Sequence, residues 1–359
     1  MPASVDRRAL HAALKELARL APTRGPLPII SNVLLTGTGD KLVLTTTDIT
    51  TRLTCEVPAQ GTAIETLVPA KLLASLVKPA GKKPDDVVLD VAGDKVSVTV
   101  SGTTMQLPAT DPQLFPAPFS AEDWTLVGMC GAAPLQEALV WVLPAASTDV
   151  TRKHLQSVFI DQQAVVATDG HRLHMAASPI APDQPLLLAS TAAVVLSRIL
   201  KCDGQVVMAR HKTKDQDQLR VRCGPWQLDT RLLDETFPPY NHVIPTKDAQ
   251  QTQVVFDTAA LCTALAQVMK LSERGNIKVC VNGAVVLSPW GSSLGEAELT
   301  VPTIENNHSG KDLELGIDGK YLLDALPRAG QVDVSLCGAL DPVRVDTDGR
   351  LAIIMPVRL

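Results

Sequence analysis

Aromatic residues make up only 3% of this 359-residue chain. A core must therefore be assembled from Leu, Val, Ile and Ala. The seven cysteines (Cys55, Cys130, Cys202, Cys223, Cys262, Cys280 and Cys337) are odd in number and scattered, without a CxxC pair. That pattern speaks against zinc and against a disulfide framework, and it fits the reduced thiols of a cytoplasmic protein. No apolar run is long enough to span a bilayer, and the opening MPASVDRRAL lacks a hydrophobic signal core. No membrane association is expected. A GxSxG nucleophile elbow is missing, and the GKK at Gly81 lacks the rest of a phosphate loop. The net charge of −5 offers no overall attraction to nucleic acid, so only the distribution of charge could supply one. What is present is globular: 45% apolar and 20% charged residues. The length exceeds one ordinary core and points to two or three domains.

A repeat of domain size organises the chain. The first helical pattern is DRRALHAALKELARL, with Leu10, Leu14 and Leu17 on one face. The same spacing of four then three returns as Leu135, Leu139 and Val142, and again as Leu261, Leu265 and Val268. Each copy adds a shorter helix after an apolar strand: Leu72, Leu73 and Leu76; Val195, Leu196 and Ile199; Leu322, Leu323 and Leu326. Pro69, Ser190 or Thr191, and Asp318 are the start signals. Alternating runs such as KLVLTTTD, KVSVTV and DQLRVRC lie between them as strands. The first two copies close alike, on DPQLFPAP and LLDETFPPY. The expected architecture is α+β: three tandem copies over residues 1–120, 121–248 and 249–359, each with two helices packed on antiparallel sheet.

The stretch VVATDGHRLHM concentrates an aspartate, an arginine and two histidines. As a metal site it fails, because His171 and His174 stand three apart and a strand sends them to opposite faces. As a hydrolase it would rely on Asp169 and His171, with no nucleophile motif beside them. An Asp169–Gly170 turn entering a strand accounts for the pair on turn chemistry alone.

Four passages carry a family resemblance: LPIISNVLL, ATDGHRL, FPPYNHVIP and the terminal IMPVRL, in this order. With them the chain resembles the beta subunit of bacterial DNA polymerase III, the sliding-clamp family. The resemblance implies a non-enzymatic processivity factor without cofactor or metal. A head-to-tail homodimer would form a ring around double-stranded DNA, with helices lining the hole. A hydrophobic groove would take short peptides of the polymerase alpha subunit, the clamp loader and repair polymerases. Its positions here are Leu155, Thr168, Gly170, His171, Arg172, Leu173, Pro238, His242, Val243, Pro342, Ile353, Met355, Pro356, Val357, Arg358 and Leu359. Where the family commonly has basic residues, this chain has Asn241 and His242, so one rim contact changes from a guanidinium fork to a neutral group. The resemblance also implies dimer contacts at an edge strand carrying Met105 and Leu107, with a counterpart near Lys270 and Leu271. Such pairing would cover an otherwise exposed edge.

A bore that slides needs sequence-blind attraction to phosphate. The DNA-facing set is Arg7, Lys15, Arg19, Arg24, Lys71, Lys78, Arg152, Arg198, Lys201, Lys270 and Lys320. The third helix carries no basic residue, and lysine and arginine also serve as ordinary solvated helix faces. An interaction scaffold of the same fold that never surrounds DNA is the alternative.

Overall fold

In a computed structural model, the structure describes residues 2–23, 27–61, 64–79, 81, 85–119, 123–201, 204–246, 252–291, 293–308 and 312–359. The expected copy boundaries at 120 and 248 lie outside these residues, as do Arg24 and Cys202.

The six expected helices all form: α1 (Arg7–Leu20), α2 (Ala70–Leu76), α3 (Ala132–Val142), α4 (Ser190–Ile199), α5 (Thr258–Met269) and α6 (Gly319–Asp324). Aspartates cap three of them. Asp6 accepts from the Ala9 N–H at 2.8 Å, Asp257 from Ala260 at 3.0 Å, and Asp318 from Lys320 at 2.8 Å. Each bond satisfies an N–H that the first helical turn leaves open. The leucine stripes are buried: Leu10, Leu14, Leu17, Leu135 and Leu139 have no solvent exposure. Burial of each such side chain contributes about 1.5–3 kcal/mol. In α2 the expected stripe shifts. Leu73 and Val77 are buried, while Leu72 points to solvent. The seven-residue helix ends at Leu76, so its buried residues are Ala70 and Leu73, and Val77 follows as the C-cap.

The three domains are similar α+β units with two helices each on antiparallel sheet. The packing nevertheless divides the chain into two compact units, one of residues 1–136, 179–183 and 194–233, the other of 137–178, 184–193 and 234–359. The reason lies in the sheets, which run continuously from copy to copy. In the first unit Thr51–Gln60 of the first copy pairs antiparallel with Trp226–Arg231 of the second, within a sheet of 12 described strands. In the second unit Arg172–Ala177 of the second copy pairs with Arg350–Ile354 of the third, within a sheet of nine described strands. A second sheet of four described strands completes that unit. Thr103–Pro108 ends its sheet order, so Met105 and Leu107 do sit on an edge strand. Leu107 is buried and Met105 half-buried. Leu271 is half-buried just past α5, and Lys270 is exposed.

Candidate functional site

The Ala164–Thr168 strand turns through Asp169 and Gly170 into the Arg172–Ala177 strand. Its own side chains build the turn. The Thr168 hydroxyl donates to the Arg172 carbonyl at 2.6 Å and accepts from the Gly170 N–H at 3.1 Å. Asp169 Oδ1 accepts from the N–H groups of His171 at 2.9 Å and Arg172 at 3.0 Å. Gly170 takes φ +91°, a left-handed conformation that glycine adopts without a Cβ penalty. Asp169 is thus consumed as a turn acceptor, and its second oxygen takes the Arg172 Nε at 3.1 Å. This overturns the hydrolase alternative, because the Asp169 carboxylate it relied on is committed to backbone and arginine.

Arg172 is buried at 9% exposure, so every donor needs a partner. Its Nη1 reaches Asp324 at 2.7 Å, its Nη2 donates to the Pro144 carbonyl, and its guanidinium lies 4.2 Å from the Tyr321 ring centre. Burial raises the Asp324 carboxyl, but hydrogen bonds and charge from Lys320 and Arg172 outweigh it and lower the pKa overall. Arg172 is therefore a clasp fixing the turn, not a free recognition group.

Beside this turn lies a cavity of about 270 Å³, bounded by Leu155, Thr168, Gly170, His171, Arg172, Leu173, Pro238, Val243, Ile353 and Met355. Strand register brings them together. Leu173 sits opposite Ile353, and the Met355 N–H donates to the His171 carbonyl at 2.9 Å. The Pro238–Val243 segment forms a wall, with Tyr240 buried against Phe159 and Phe237. The Tyr240 hydroxyl donates to Asp161 at 2.9 Å, and burial followed by that carboxylate pushes its pKa up to about 12. It stays protonated and rigid. Leu173, Ile353, Met355, Leu155 and Val243 supply an apolar floor with few polar groups at the rim, the composition of a site for a hydrophobic anchor.

Residues 1–118 match the family model for the DNA polymerase III beta subunit, N-terminal domain. The beta sliding clamp of Pseudomonas aeruginosa is 28% identical, over 99% of each chain. That of Caulobacter vibrioides is 26% identical, over 90% of this chain and 89% of its own. Among solved structures, a P. aeruginosa sliding clamp bound to griselimycin superposes with a TM-score of 0.87 at 26% identity, covering 100% of both chains. A Caulobacter crescentus sliding clamp does so with a TM-score of 0.84 at 25% identity, again over 100% of both.

The chain belongs to the bacterial beta sliding clamp family.

Within this family member, six expected groove residues do not border the cavity: His242, Pro342, Pro356, Val357, Arg358 and Leu359. The tail passes instead along another strand, where Val357 exchanges backbone bonds with Gly316. His154, Pro239 and Tyr240 do border it and were not anticipated. The FPPY passage held the signal for two of them; His154 had none, because a loop carries it there.

The basic set divides. Arg7 requires a correction: it is 8% exposed, its Nη1 bonds Asp85 at 2.6 Å, and its Nε and Nη2 donate to the Val77 and Lys78 carbonyls. An arginine so enclosed, with four of its five N–H donors committed, holds α1 to its neighbours instead of presenting its charge to phosphate. Lys15, Lys78, Lys201 and Lys270 are exposed, and Arg198 is half-buried. Arg19 pairs with Glu16 at 2.7 Å, Lys320 with Asp324 at 2.8 Å, Arg152 with Asp149 at 3.5 Å, and Lys71 bonds the Thr23 hydroxyl at 3.0 Å. His171 and His174 part as the strand geometry requires, the first exposed and the second fully buried. Among the described residues, no group of three His, Cys, Asp or Glu side chains could hold a metal. No helix of the described residues is long and apolar enough to cross a membrane.

Proposed function

We propose that two copies of this chain close head-to-tail into a ring around duplex DNA. The Met355 groove then tethers replication proteins by short peptide segments. The chain is a DNA sliding clamp, a processivity factor rather than an enzyme. The partners are the polymerase alpha subunit, the clamp loader and repair polymerases, and the compartment is the cytoplasm. The domains run 1–120, 121–248 and 249–359. The dimer joins the Met105–Leu107 edge strand to the region of Lys270 and Leu271.

One observation carries the tethering role. Residues from three distant segments, around 155–173, 238–243 and 353–355, converge on a single apolar cavity beside a rigid turn. A leucine or phenylalanine side chain is the natural occupant. The exposed lysines support weak, sequence-blind contact with phosphate. Duplex DNA carries one charge about every 1.7 Å of axis, so a fully basic bore would grip and brake movement. Enclosure makes tight adhesion unnecessary, which suits a chain of net charge −5.

Two measurements test this. The protein should elute as a dimer, near twice 38.2 kDa. Once loaded, it should remain on circular DNA and leave when the DNA is cut. Retention that ignores linearisation would favour the scaffold alternative. Met355→Ala should weaken a leucine- and phenylalanine-bearing peptide about tenfold or more while dimer and ring persist.

A further inference from the structure

The turn that frames the Met355 groove has a twin in the first unit. Thr47 to Arg52 repeats the four side-chain-to-backbone bonds of Thr168 to Leu173. The Thr47 hydroxyl donates to the Thr51 carbonyl at 2.8 Å and accepts from the Ile49 N–H at 2.9 Å. Asp48 Oδ1 accepts from Thr50 at 3.0 Å and Thr51 at 2.7 Å, as Asp169 does from His171 and Arg172. The neighbouring strand is matched too. The Arg231 N–H donates to the Thr50 carbonyl at 3.0 Å, standing where Met355 bonds His171. Pro116, Ala117 and Pro118 of the LFPAP passage form the wall that Pro238, Pro239 and Tyr240 form in the other groove. Together they bound a cavity of about 300 Å³.

The frame is kept and the chemistry is exchanged. Arg52 occupies the place of Leu173, Asp229 that of Ile353, and Arg231 that of Met355. Asp229 does not border the cavity and is bonded by Arg220 at 2.6 Å, so among the described residues the lining holds two arginines and no carboxylate. Arg231 is exposed. Arg52 donates Nη1 to the Pro116 carbonyl at 2.9 Å and lies 5.3 Å from the Phe115 ring centre. Burial works against its charge, with Asp229 only partly compensating.

Two further features point to a ligand. Gln218 is 4% exposed and borders the cavity; its Nε2 bonds Gln216, but its Oε1 has no partner among the described residues. A buried acceptor of this kind calls for an N–H donor. Ile49 stands at φ +82° and is 41% exposed at the cavity mouth, where the twin turn places Gly170. A β-branched residue in that conformation is strained, and glycine would remove the strain. Such outliers concentrate at functional sites.

We infer that this cavity is a second peptide-docking groove, selective for an extended acidic segment. Its carboxylates would meet Arg52 and Arg231, its backbone N–H would reach Gln218 Oε1, and an apolar side chain would rest on Ile49 and the proline wall. The backbone frame and apolar wall favour a peptide over a nucleic acid. This inference rests on reading the Met355 groove as a peptide site, and the test separates the two.

The experiment is fluorescence anisotropy on the full chain with two labelled pentapeptides, one alternating leucine with aspartate and one alternating leucine with asparagine. The aspartate probe should bind about tenfold more tightly. Arg231→Glu should weaken it about tenfold further than Arg231→Lys, because like charge then faces like. Ile49→Gly should weaken it about threefold in a protein no less stable, an outcome that a purely structural Ile49 could not produce. Met355→Ala should leave it unchanged while weakening a leucine- and phenylalanine-bearing probe. Equal or absent binding of the two pentapeptides overturns the inference, as does insensitivity to Arg231→Glu. So does loss with Met355→Ala, or an Arg231→Glu effect confined to a duplex DNA fragment. If the leucine–phenylalanine probe also ignores Met355→Ala, the first groove is misread and the second stands on its own result.

Discussion

The Arg172 guanidinium donates to Asp324 at 2.7 Å, tying the turn that borders the groove to α6 across 152 residues of sequence. Both side chains are largely shielded, so removal of one leaves the other charged and poorly solvated. Arg172→Ala should cost about 3 kcal/mol in chemical denaturation, and peptide affinity should fall with it. Arg172→Lys should not restore either, since an ammonium cannot serve Asp169, Asp324 and the Pro144 carbonyl from one plane. Full stability in Arg172→Ala would refute the clasp.

His174 makes stability depend on pH. It is fully buried, its Nδ1 donates to the Trp141 carbonyl at 2.9 Å, and Nε2 has no partner among the described residues. Burial, opposed by that hydrogen bond, lowers its pKa from 6.5 to about 4. Below pH 6.5 the unfolded chain takes up a proton that the folded chain refuses. Stability is therefore full above 6.5, falls as pH drops, and levels off below 4. The whole loss is about 3 kcal/mol. Denaturation curves from pH 7.5 to 4 should show this slope, and His174→Phe should flatten it.

Gly316 makes room for the C-terminal tail. A Cβ there would stand 2.6 Å from the Val357 carbonyl oxygen and 2.9 Å from its Cγ2. Gly316→Ala should displace the tail, and with it Met355, lowering affinity for the apolar peptide several-fold while the dimer persists. Unchanged affinity would mean that Met355 is held by the His171 carbonyl alone.

Ile49→Gly should raise stability by about 1 kcal/mol, the relief of a left-handed conformation less the entropy of a glycine. Thermal denaturation reads the change directly; a loss would show that the isoleucine side chain packs more than its exposure indicates.

Arg7→Ala should destabilise the first unit by about 2 kcal/mol, because Asp85 and two carbonyls lose their donor. Retention of folded protein on circular DNA should be unaffected. A specific drop in retention would return Arg7 to the DNA-facing set.

Much of this was legible in the sequence, for a local reason. Helix stripes and aspartate caps depend on residues three or four apart, so α1, α3 and α5 were found with their buried leucines. The Asp169–Gly170 turn is equally local, since Thr168 and Asp169 supply its bonds themselves. Pairing between distant strands obeys no such rule. Whether Ile353 faces Leu173, or whether Val357 leaves the groove for Gly316, depends on register set by the whole sheet. The charge of Arg7 was visible, but its burial was not, because Asp85 lies 78 residues away. The tertiary structure alone decided that the ATDGHRL passage is a braced frame for an apolar cavity, and that the first copy built the same frame around arginines. Local hydrogen bonds specify a turn, and only packing determines what that turn encloses.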